Sequence, residues 1–251
     1  MLHLVINLER SRDRRQLILD ELKKFDIKPE IITGIDGKTL TQSQIRTLSL
    51  SIYHPAHANY PKELTANEFG CFLSHRKCWE RLISSGEEWA LIIEDDARFN
   101  DKSKKYLTTT SWIPVPAIIQ LNGHHGLKFT IKEEIPLKSG DSLVRTLYPF
   151  PMGAYAYLIN RQTALNAINQ SKKITAPVDE FLFALRSSFA RRNPTYILNP
   201  GLCYPAEGIP STIGDRDNMR KNRVKFLYPN VLLYKLWITL QKIIYRKSVT
   251  L

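Results

Sequence analysis

Residues 1–37 alternate between strand-like and helix-like segments, and this alternation constrains the fold more than any other feature. "LHLVINL" (2–8) is the continuous apolar run of a strand buried on both faces. A helix capped by Ser11 follows through "RDRRQLILDELKKF", and "PEIITGIDG" (29–37) indicates a second strand that ends in turn residues. A strand, a helix and a strand in this order predict a right-handed βαβ unit and a parallel sheet.

The rest of the chain continues the alternation. A helix over 66–85 is the best specified element, because Thr65 and Glu68 form a capping box and Gly86 follows the end. Further strands are predicted at 89–93, 117–121, 142–148, 153–159 and 195–205, and further helices at 41–50, 161–170 and 177–188. We therefore predict an α/β fold with a mostly parallel sheet and helices on both faces.

Positive charge is concentrated near the C-terminus. The 251-residue chain has 43% hydrophobic and 24% charged residues, as an ordinary soluble protein does, but its net charge is +12. Residues 216–251 carry nine Lys or Arg against the single acid Asp217, which accounts for +8 of that total. We expect one folded domain at 1–215 and a basic segment at 216–251. Such charge favours nucleic acid, anionic lipid or phosphorylated substrates as partners.

Cysteine usage and the apolar runs give expectations about compartment. Cys71, Cys78 and Cys203 make an odd count without a CxxC pair, so neither a disulfide framework nor a zinc site is indicated. The apolar run at the N-terminus is too short for a signal peptide, and its charges follow rather than precede it. No stretch reaches the roughly 18 apolar residues of a membrane-spanning helix. We expect a cytosolic protein that touches the inner face of the membrane.

An acidic triplet ends the most apolar predicted strand. "WALII" (89–93) runs directly into Glu94, Asp95 and Asp96. Like charges this close are unfavourable unless water, a cation or basic groups compensate them. A turn that leaves all three acids in water is the simplest alternative. The triplet nevertheless lies at the carboxyl end of a strand, where open α/β sheets bind their ligands.

Several motifs together resemble glycosyltransferase family 25, which includes bacterial lipooligosaccharide galactosyltransferases and related collagen galactosyltransferases. The resemblance spans residues 2–215 and is thin between 100 and 145. It rests on "VINLERSRDRR", "ELTANEFGCFLSHRKCWERLI", "ALIIEDDARF", "GAYAYLINRQTA" and "PVDEFLF". It implies a GT-A-like nucleotide-binding sheet and a reaction that inverts the configuration of the donor sugar.

The resemblance gives the acidic triplet a role. Glu94 and Asp96 would bind Mn²⁺ or Mg²⁺ together with the diphosphate of a UDP-sugar, and Asp95 would lie beside the donor. The sequence has E-D-D where the general motif of the fold is D-x-D. Hard oxygen ligands suit these ions, which take one or two protein carboxylates and complete their shell with substrate phosphate.

The same resemblance implies a donor site after the first strand. Asn7, Arg10 and Arg14 would contact the nucleotide, because the guanidinium fork suits diphosphate oxygens and a helix N-terminus favours anions. The alternative is a solvated basic helix start. We assign that alternative to Arg12 and Arg15.

Two adjacent residues of the long helix, Ser74 and His75, match the family's "SH" pair and are candidates for the donor pocket. His75 shares a helical face with Cys71, Cys78 and Leu82, the spacing of a core stripe. A buried histidine with hydrogen-bond partners is therefore the alternative, and we assign the two cysteines to the core.

Asp179 is the candidate general base. Inverting transfer needs a group that takes the proton of the acceptor hydroxyl, and the "VD" match of the family favours this carboxylate. The alternatives are Glu180, or an ordinary first-turn acid that only stabilises the helix dipole. In "GIPSTIGDR", the family segment that closes over the donor suggests Ser211 and Thr212 as contacts, with Glu207 a weaker candidate.

The basic tail predicts an amphipathic C-terminal helix. Lys235, Thr239, Lys242 and Arg246 fall on one helical face. Much of the remainder is apolar: Val231, Leu232, Leu236, Trp237, Leu240, Ile243 and Ile244. A basic stripe beside a Trp-bearing apolar face suits an anionic membrane surface, and a helix docked on the core is the alternative. Nucleic acid is disfavoured because no binding motif accompanies the charge.

These features favour an inverting glycosyltransferase that moves galactose from UDP-galactose onto a lipooligosaccharide and forms a β-linkage. UDP-glucose is the competing donor. A metal-dependent phosphodiesterase or nuclease would also use clustered acids, but it more often takes acids and histidines from several strand ends for two metals. A non-enzymatic membrane or nucleic-acid adaptor would explain the tail and leave the acidic triplet and Asp179 without a role.

Overall fold

A computed structural model describes residues 1–49, 64–124, 126–149, 151–185, 187–206 and 208, and short pieces of the C-terminal segment at 236–237, 239–241, 243–244 and 248–250. The strands are β1 (Leu2–Asn7), β2 (Glu30–Thr33), β3 (Trp89–Glu94), β4 (Ala97–Phe99), β5 (Ile118–Gln120), β6 (Lys128–Pro136), β7 (Ser142–Tyr148), β8 (Ala156–Asn160), β9 (Thr195–Asn199), β10 (Cys203–Pro205) and β11 (Ser248–Thr250). The α-helices are α1 (Arg12–Lys23), α2 (Gln42–Leu48), α3 (Ala66–Ser85), α4 (Lys104–Leu107), α5 (Arg161–Gln170), α6 (Val178–Phe183) and α7 (Ser188–Arg192).

Within these ranges, nine strands form one sheet in the order β11-β6-β7-β9-β5-β8-β3-β1-β2. The predicted βαβ unit is present, since β1 pairs in parallel with both β2 and β3. Six of these nine strands run in one direction, while β7, β8 and β11 oppose them. The mostly parallel α/β sheet that the sequence predicts is confirmed.

Both faces of the sheet are covered. Side chains alternate between faces along a strand, so Leu4 packs into one core cluster and Val5 into the other. The first cluster receives α3, α5, α6 and α7, and the second receives α1 and α4. This double burial explains why β1 and β3 are continuously apolar, and it confirms the prediction of helices on both faces.

Helix α3 has the predicted ends. Thr65 Oγ1 accepts the backbone N–H of Glu68 at 3.2 Å, and Glu68 Oε2 accepts that of Thr65 at 2.8 Å. Gly86 ends the helix with φ of 79°, a left-handed conformation that glycine adopts without strain. The fully buried Phe72 and Trp79 fix the helix on the sheet, and the same helix carries Ser74 and His75.

The edge of the sheet departs from the prediction. The nine-residue β6 begins with alternating polar and apolar residues, and it pairs antiparallel with β7. Short β11 then pairs with β6, so the end of the basic segment adds a strand to the main sheet.

The predicted helix at 177–188 is instead two short helices, α6 and α7. Across the described ranges, no helix is both long and apolar enough to cross a membrane.

Candidate active site

The acidic triplet forms the end of β3 and the turn that follows it. Glu94 is the last residue of β3, and Asp95 and Asp96 form the turn before β4. Because β1 runs parallel to β3, Asn7 at the end of β1 reaches the same edge. Asn7 Nδ2 donates to Asp95 Oδ2 at 2.7 Å, so this predicted donor-site residue does meet the triplet.

The triplet is not a solvated turn, since Asp95 is only 7% exposed. Arg14 of α1 pairs with both Asp95 and Asp96, and its Nη2 lies 2.8 Å from Asp96 Oδ2. One guanidinium therefore offsets two of the three acids. The alternative in which water alone compensates the triplet is excluded.

Compensation of the triplet is nevertheless incomplete. Burial, followed by the charge of Glu94, raises the pKa of Asp96 to about 6. Burial also raises the pKa of Asp95, against the opposing effect of Arg14. Asp96 Oδ1 is buried without a hydrogen-bond partner in the described part of the chain. A divalent cation bound by Glu94 and Asp96 would supply the compensating positive charge and a partner for Asp96 Oδ1, so these residues fit such an ion.

A buried chain of hydrogen bonds leads from α3 to Glu94. Trp79 Nε1 donates to the Tyr157 hydroxyl at 3.0 Å, Tyr157 lies 3.0 Å from His75 Nδ1, and His75 Nε2 lies 3.2 Å from Glu94 Oε1. The indole can only donate and the carboxylate can only accept, so a neutral His75 accepts from Tyr157 and donates to Glu94. The fully buried histidine thereby orients one carboxylate of the triplet.

The other predicted donor-site residues lie nearby but make different contacts. Arg10 is paired with Asp36 at 2.6 Å. Ser74 Oγ accepts the backbone N–H of Ile35 at 2.8 Å and donates to a carbonyl of its own helix. Both residues thus contact the loop after β2 and not the acidic triplet.

Arg15, which the sequence assigned to solvent, belongs to the candidate site. Its Nε donates to Asn7 Oδ1 at 2.9 Å, so it holds the amide whose other end binds Asp95. No sequence signal separates Arg15 from Arg12, because both lie in the first turns of α1. The predicted cap does not form either, since the Ser11 side chain makes no capping hydrogen bond in the described structure.

The loop at 151–155, before β8, links the triplet to the candidate base. The backbone N–H of Glu94 donates to the Tyr155 carbonyl at 2.8 Å. Asp179, at the start of α6 and 5% exposed, accepts the backbone N–H of Gly153 at 2.9 Å through Oδ2. Its Oδ1 accepts the backbone N–H of Glu180, also at 2.9 Å. Asp179 is therefore held rigidly at the same edge of the sheet, and Glu180 beside it is also buried.

Sequence reasoning missed three buried polar residues at the end of β5. Gln120 Nε2 donates to the Gly153 carbonyl at 2.7 Å, and its Oε1 lies 3.1 Å from His124 Nε2. Asn122 Oδ1 accepts the backbone N–H of Ala156 at 3.3 Å. Together they fix the 151–155 loop. The run "QLNGHH", polar directly after an apolar strand, is the signal that could have identified them.

The remaining predicted contacts fall in the C-terminal part. Glu207, Ser211 and Thr212 lie outside the described residues, as do Lys235, Lys242 and Arg246 of the basic face. The described residues between 236 and 244 are helical. Four of their side chains are between 48% and 65% exposed: Leu236, Leu240, Ile243 and Ile244.

Comparison with known proteins places this arrangement in a family. A family model described as glycosyltransferase family 25 (LPS biosynthesis protein) matches residues 1–182. Human procollagen galactosyltransferase 2 is 40% identical over 106 residues, which are 41% of this chain and 17% of the relative. Procollagen galactosyltransferase 1 of Danio rerio is 32% identical over 183 residues, which are 71% of this chain and 30% of the relative.

Other comparisons set the limits of the likeness. The human protein named inactive glycosyltransferase 25 family member 3 is 38% identical over 96 residues, 38% of this chain and 16% of the relative. The chain thus spans less than a third of each of these curated relatives. A solved glycosyltransferase involved in glycosylation of the major capsid of PBCV-1 aligns over 88% of this chain and 98% of its own, with 10% identity and a TM-score of 0.41. The family match covers most of the described fold and the acidic turn, and the chain belongs to glycosyltransferase family 25.

Proposed function

We propose that the protein is a metal-dependent, inverting glycosyltransferase that moves galactose from UDP-galactose onto a lipooligosaccharide and forms a β-linkage. The observation that carries the proposal is the acidic turn after β3. Asp95 is buried, and Glu94 and Asp96 are partly buried. Asp96 Oδ1 has no hydrogen-bond partner among the described residues, and the pKa of Asp96 is raised to about 6. Ionised Asp96 is unfavourable in this environment without a cation, and a bound cation would relieve that cost.

Glu94 and Asp96 would hold Mn²⁺ or Mg²⁺. The bound ion would neutralise the charge that develops on the departing diphosphate. His75 keeps Glu94 oriented from below, since its Nε2 donates to that carboxylate. Asn7 and Arg15 keep Asp95 in place from the side of β1.

Arg14 is the basic group closest to the acids in the described structure. Its fork can pair with diphosphate oxygens once a cation satisfies the carboxylates that it now contacts. Arg10, half exposed beside Asp36, provides a second positive charge near the end of β1. Both side chains would attract and orient the nucleotide, as the family resemblance implies.

Asp179 would act as the general base. The acceptor hydroxyl oxygen forms a bond to C1, the bond between C1 and the diphosphate oxygen breaks with its electron pair leaving on UDP, and the hydroxyl proton passes to Asp179. Two backbone N–H groups hold this carboxylate in one position, which in-line attack requires. Glu180 is the alternative base, because it is buried in the same turn.

The names of the relatives favour galactose as the donor sugar, and the family description favours a lipooligosaccharide as the acceptor. Two of the similar proteins are named galactosyltransferases, which supports galactose over its epimer glucose. The family description refers to LPS biosynthesis, which supports a lipooligosaccharide acceptor. Similar chains that are named inactive show that sequence likeness alone does not carry activity, so the acids themselves must be tested.

The tail would bring the enzyme to its acceptor at the cytoplasmic face of the inner membrane. Leu236, Leu240, Ile243 and Ile244 leave an apolar helical face exposed, and the segment carries a net charge of +8. Such a helix binds anionic bilayers. Replacing Leu240 and Ile243 with Ser should abolish sedimentation with phosphatidylglycerol vesicles, whereas Leu17→Ser, an exposed leucine of α1, should not.

The proposal is tested by transfer to truncated lipooligosaccharide acceptors with UDP-galactose or UDP-glucose and Mn²⁺. We expect a β-galactoside, identified from the anomeric proton coupling, and loss of product with EDTA. An α-linked product would remove the inverting mechanism. Absence of transfer from every UDP-sugar, with the folded protein confirmed by circular dichroism, would overturn the proposed function.

A further inference from the structure

A second set of possible metal ligands lies beneath the acidic turn. Cys71 and His75 are four residues apart on α3 and so project from the same face. Glu94 lies opposite them at the end of β3. One ligand atom from each residue, Sγ, a ring nitrogen and a carboxylate oxygen, lies within 4.8 Å of the other two.

Two of these ligands are already about as close together as a tetrahedral ion requires. Zinc binds sulfur at about 2.3 Å and nitrogen or oxygen at about 2.0–2.2 Å, so two of its ligands lie roughly 3.3–3.6 Å apart. His75 Nε2 and Glu94 Oε1 are already 3.2 Å apart. The Sγ of the partly buried Cys71 lies within 4.8 Å of a ligand atom of each of these residues.

The ligand chemistry differs from that of the acidic turn. A thiolate, an imidazole and a carboxylate form a borderline-soft set, which selects zinc over manganese and magnesium. The second sphere also fits, because a metal-bound histidine normally donates its other N–H to an acceptor. The Tyr157 oxygen lies 3.0 Å from His75 Nδ1 and can accept that proton.

We propose that Cys71, His75 and Glu94 form a zinc site that competes with the donor-site cation for Glu94. Binding releases one proton, from the Cys71 thiol, while the imidazole proton moves from Nε2 to Nδ1. Zinc then occupies Glu94, which leaves Asp96 as the remaining carboxylate of the proposed manganese pair. The binding itself is independent of the proposed function, whereas the inhibition that follows from it rests on that function.

The sequence did not indicate this site because it contains no CxxC pair. Two ligands follow the helical spacing of four residues that also marks a core stripe, and the third comes from a strand end. Only the packing of α3 against β3 brings them together. Cys78, on the same helix, is fully buried in the core and provides a matched control thiol.

Direct binding is measured with Co²⁺ as a spectroscopic substitute for zinc, in a phosphine reductant that binds metals weakly. We expect a thiolate-to-cobalt charge-transfer band in the near ultraviolet for the wild type and for Cys78→Ala. Cys71→Ser should lose the band while its thermal unfolding stays cooperative. Absence of the band in the wild type, or its persistence in Cys71→Ser, would overturn the site.

Two further measurements test the site. Thiol labelling of the wild type needs neither a variant nor activity, and zinc inhibition of sugar transfer compares a variant with the wild type. Zinc should protect Cys71 of the wild type from alkylation by N-ethylmaleimide, as located by peptide mass mapping, and equal labelling with and without zinc would count against binding. In the transfer assay, zinc should raise the apparent KM for Mn²⁺ of the wild type, and Cys71→Ser should need at least about tenfold more zinc for the same inhibition.

Equal inhibition of Cys71→Ser and wild type would overturn the proposed competition. The two proposals can fail separately. A cobalt band in a protein that transfers no sugar would leave the zinc site intact and remove the transferase.

Discussion

The two carboxylate regions at this edge of the sheet are built in opposite ways. In the turn after β3, Asp96 has a buried oxygen without a partner among the described residues and a pKa raised to about 6. At the start of α6, both oxygens of Asp179 accept backbone N–H groups. The 151–155 loop contacts both regions. The difference indicates that the turn is arranged to bind positive charge and that Asp179 is arranged to stay in place.

Asp96→Asn should break the first region and give the largest effect. The amide removes the charge that the cation requires, so Mn²⁺-dependent transfer should fall by about a thousandfold, equivalent to several kcal/mol of lost stabilisation. Initial rates of the variant and the wild type, compared at the same fixed concentrations of UDP-galactose and Mn²⁺, measure this loss. Asp101→Asn, an exposed acid just after β4, is the matched control and should transfer as the wild type does.

Asp95→Asn is expected to be milder than Asp96→Asn. Asp95 already has Asn7 and Arg14 as partners, whereas Asp96 keeps an unpartnered oxygen. Turnover of Asp96→Asn close to that of the wild type would remove Asp96 from the metal pair.

Asp179→Asn should break the second region and separate chemistry from binding. The amide keeps the size of the carboxylate but cannot accept the acceptor proton, so kcat should fall by at least about a hundredfold. KM for donor and acceptor should change only a few-fold, because the loss falls on the transition state. Steady-state kinetics of Asp179→Asn and Glu180→Gln decide between the two acids. A larger loss of kcat in Glu180→Gln would assign the role of base to Glu180.

Tyr157→Phe should weaken the first region without touching an acid. Without the hydroxyl, His75 loses the partner that fixes its orientation, and the Mn²⁺ dissociation constant should rise about tenfold. The indole N–H of Trp79 also loses its acceptor, at a cost of about 1–3 kcal/mol of stability. Tyr106→Phe, a buried tyrosine bonded to Ser139 and Asp141, is the control for stability alone. Equal Mn²⁺ affinity in both variants would separate His75 from metal binding.

The smallest expected effect is on stability without metal. The folded protein binds the Asp96 proton more tightly than the unfolded chain does, since the pKa of Asp96 is raised to about 6. Ionisation therefore destabilises the fold as pH rises from about 4 to about 6, and the loss is complete above that range. In EDTA at pH 7, Asp96→Asn should be more stable than the wild type by about 1–2 kcal/mol. Urea unfolding at several pH values should show this difference narrowing below pH 6. A constant difference would contradict the raised pKa.

Local sequence signals predicted the framework. The capping box of Thr65 and Glu68, the apolar β1 and β3, and the position of the acids at a strand end all lie within short stretches of chain. The signal is strong there because a strand buried on both faces needs a continuous apolar run. The order β1-α1-β2 then limited the topology to a right-handed crossover.

Contacts between distant segments could not be predicted in the same way. Arg15 and Arg12 look alike in the sequence, and only the packing of α1 beside β1 brings Arg15 to Asn7. The link from Trp79 through Tyr157 to His75 joins α3 to β8, which are 78 residues apart in sequence. The edge strand β11 was missed because three residues carry too little periodicity to indicate a strand.

The central claim is that the acidic turn binds a nucleotide sugar only together with a divalent cation. Isothermal titration of UDP-galactose into the metal-free wild type, with and without Mn²⁺, tests it most directly. We predict binding with Mn²⁺, no measurable heat in EDTA, and no binding to Asp96→Asn in either condition. Equal affinity with and without Mn²⁺, or unchanged binding to Asp96→Asn, would contradict the claim.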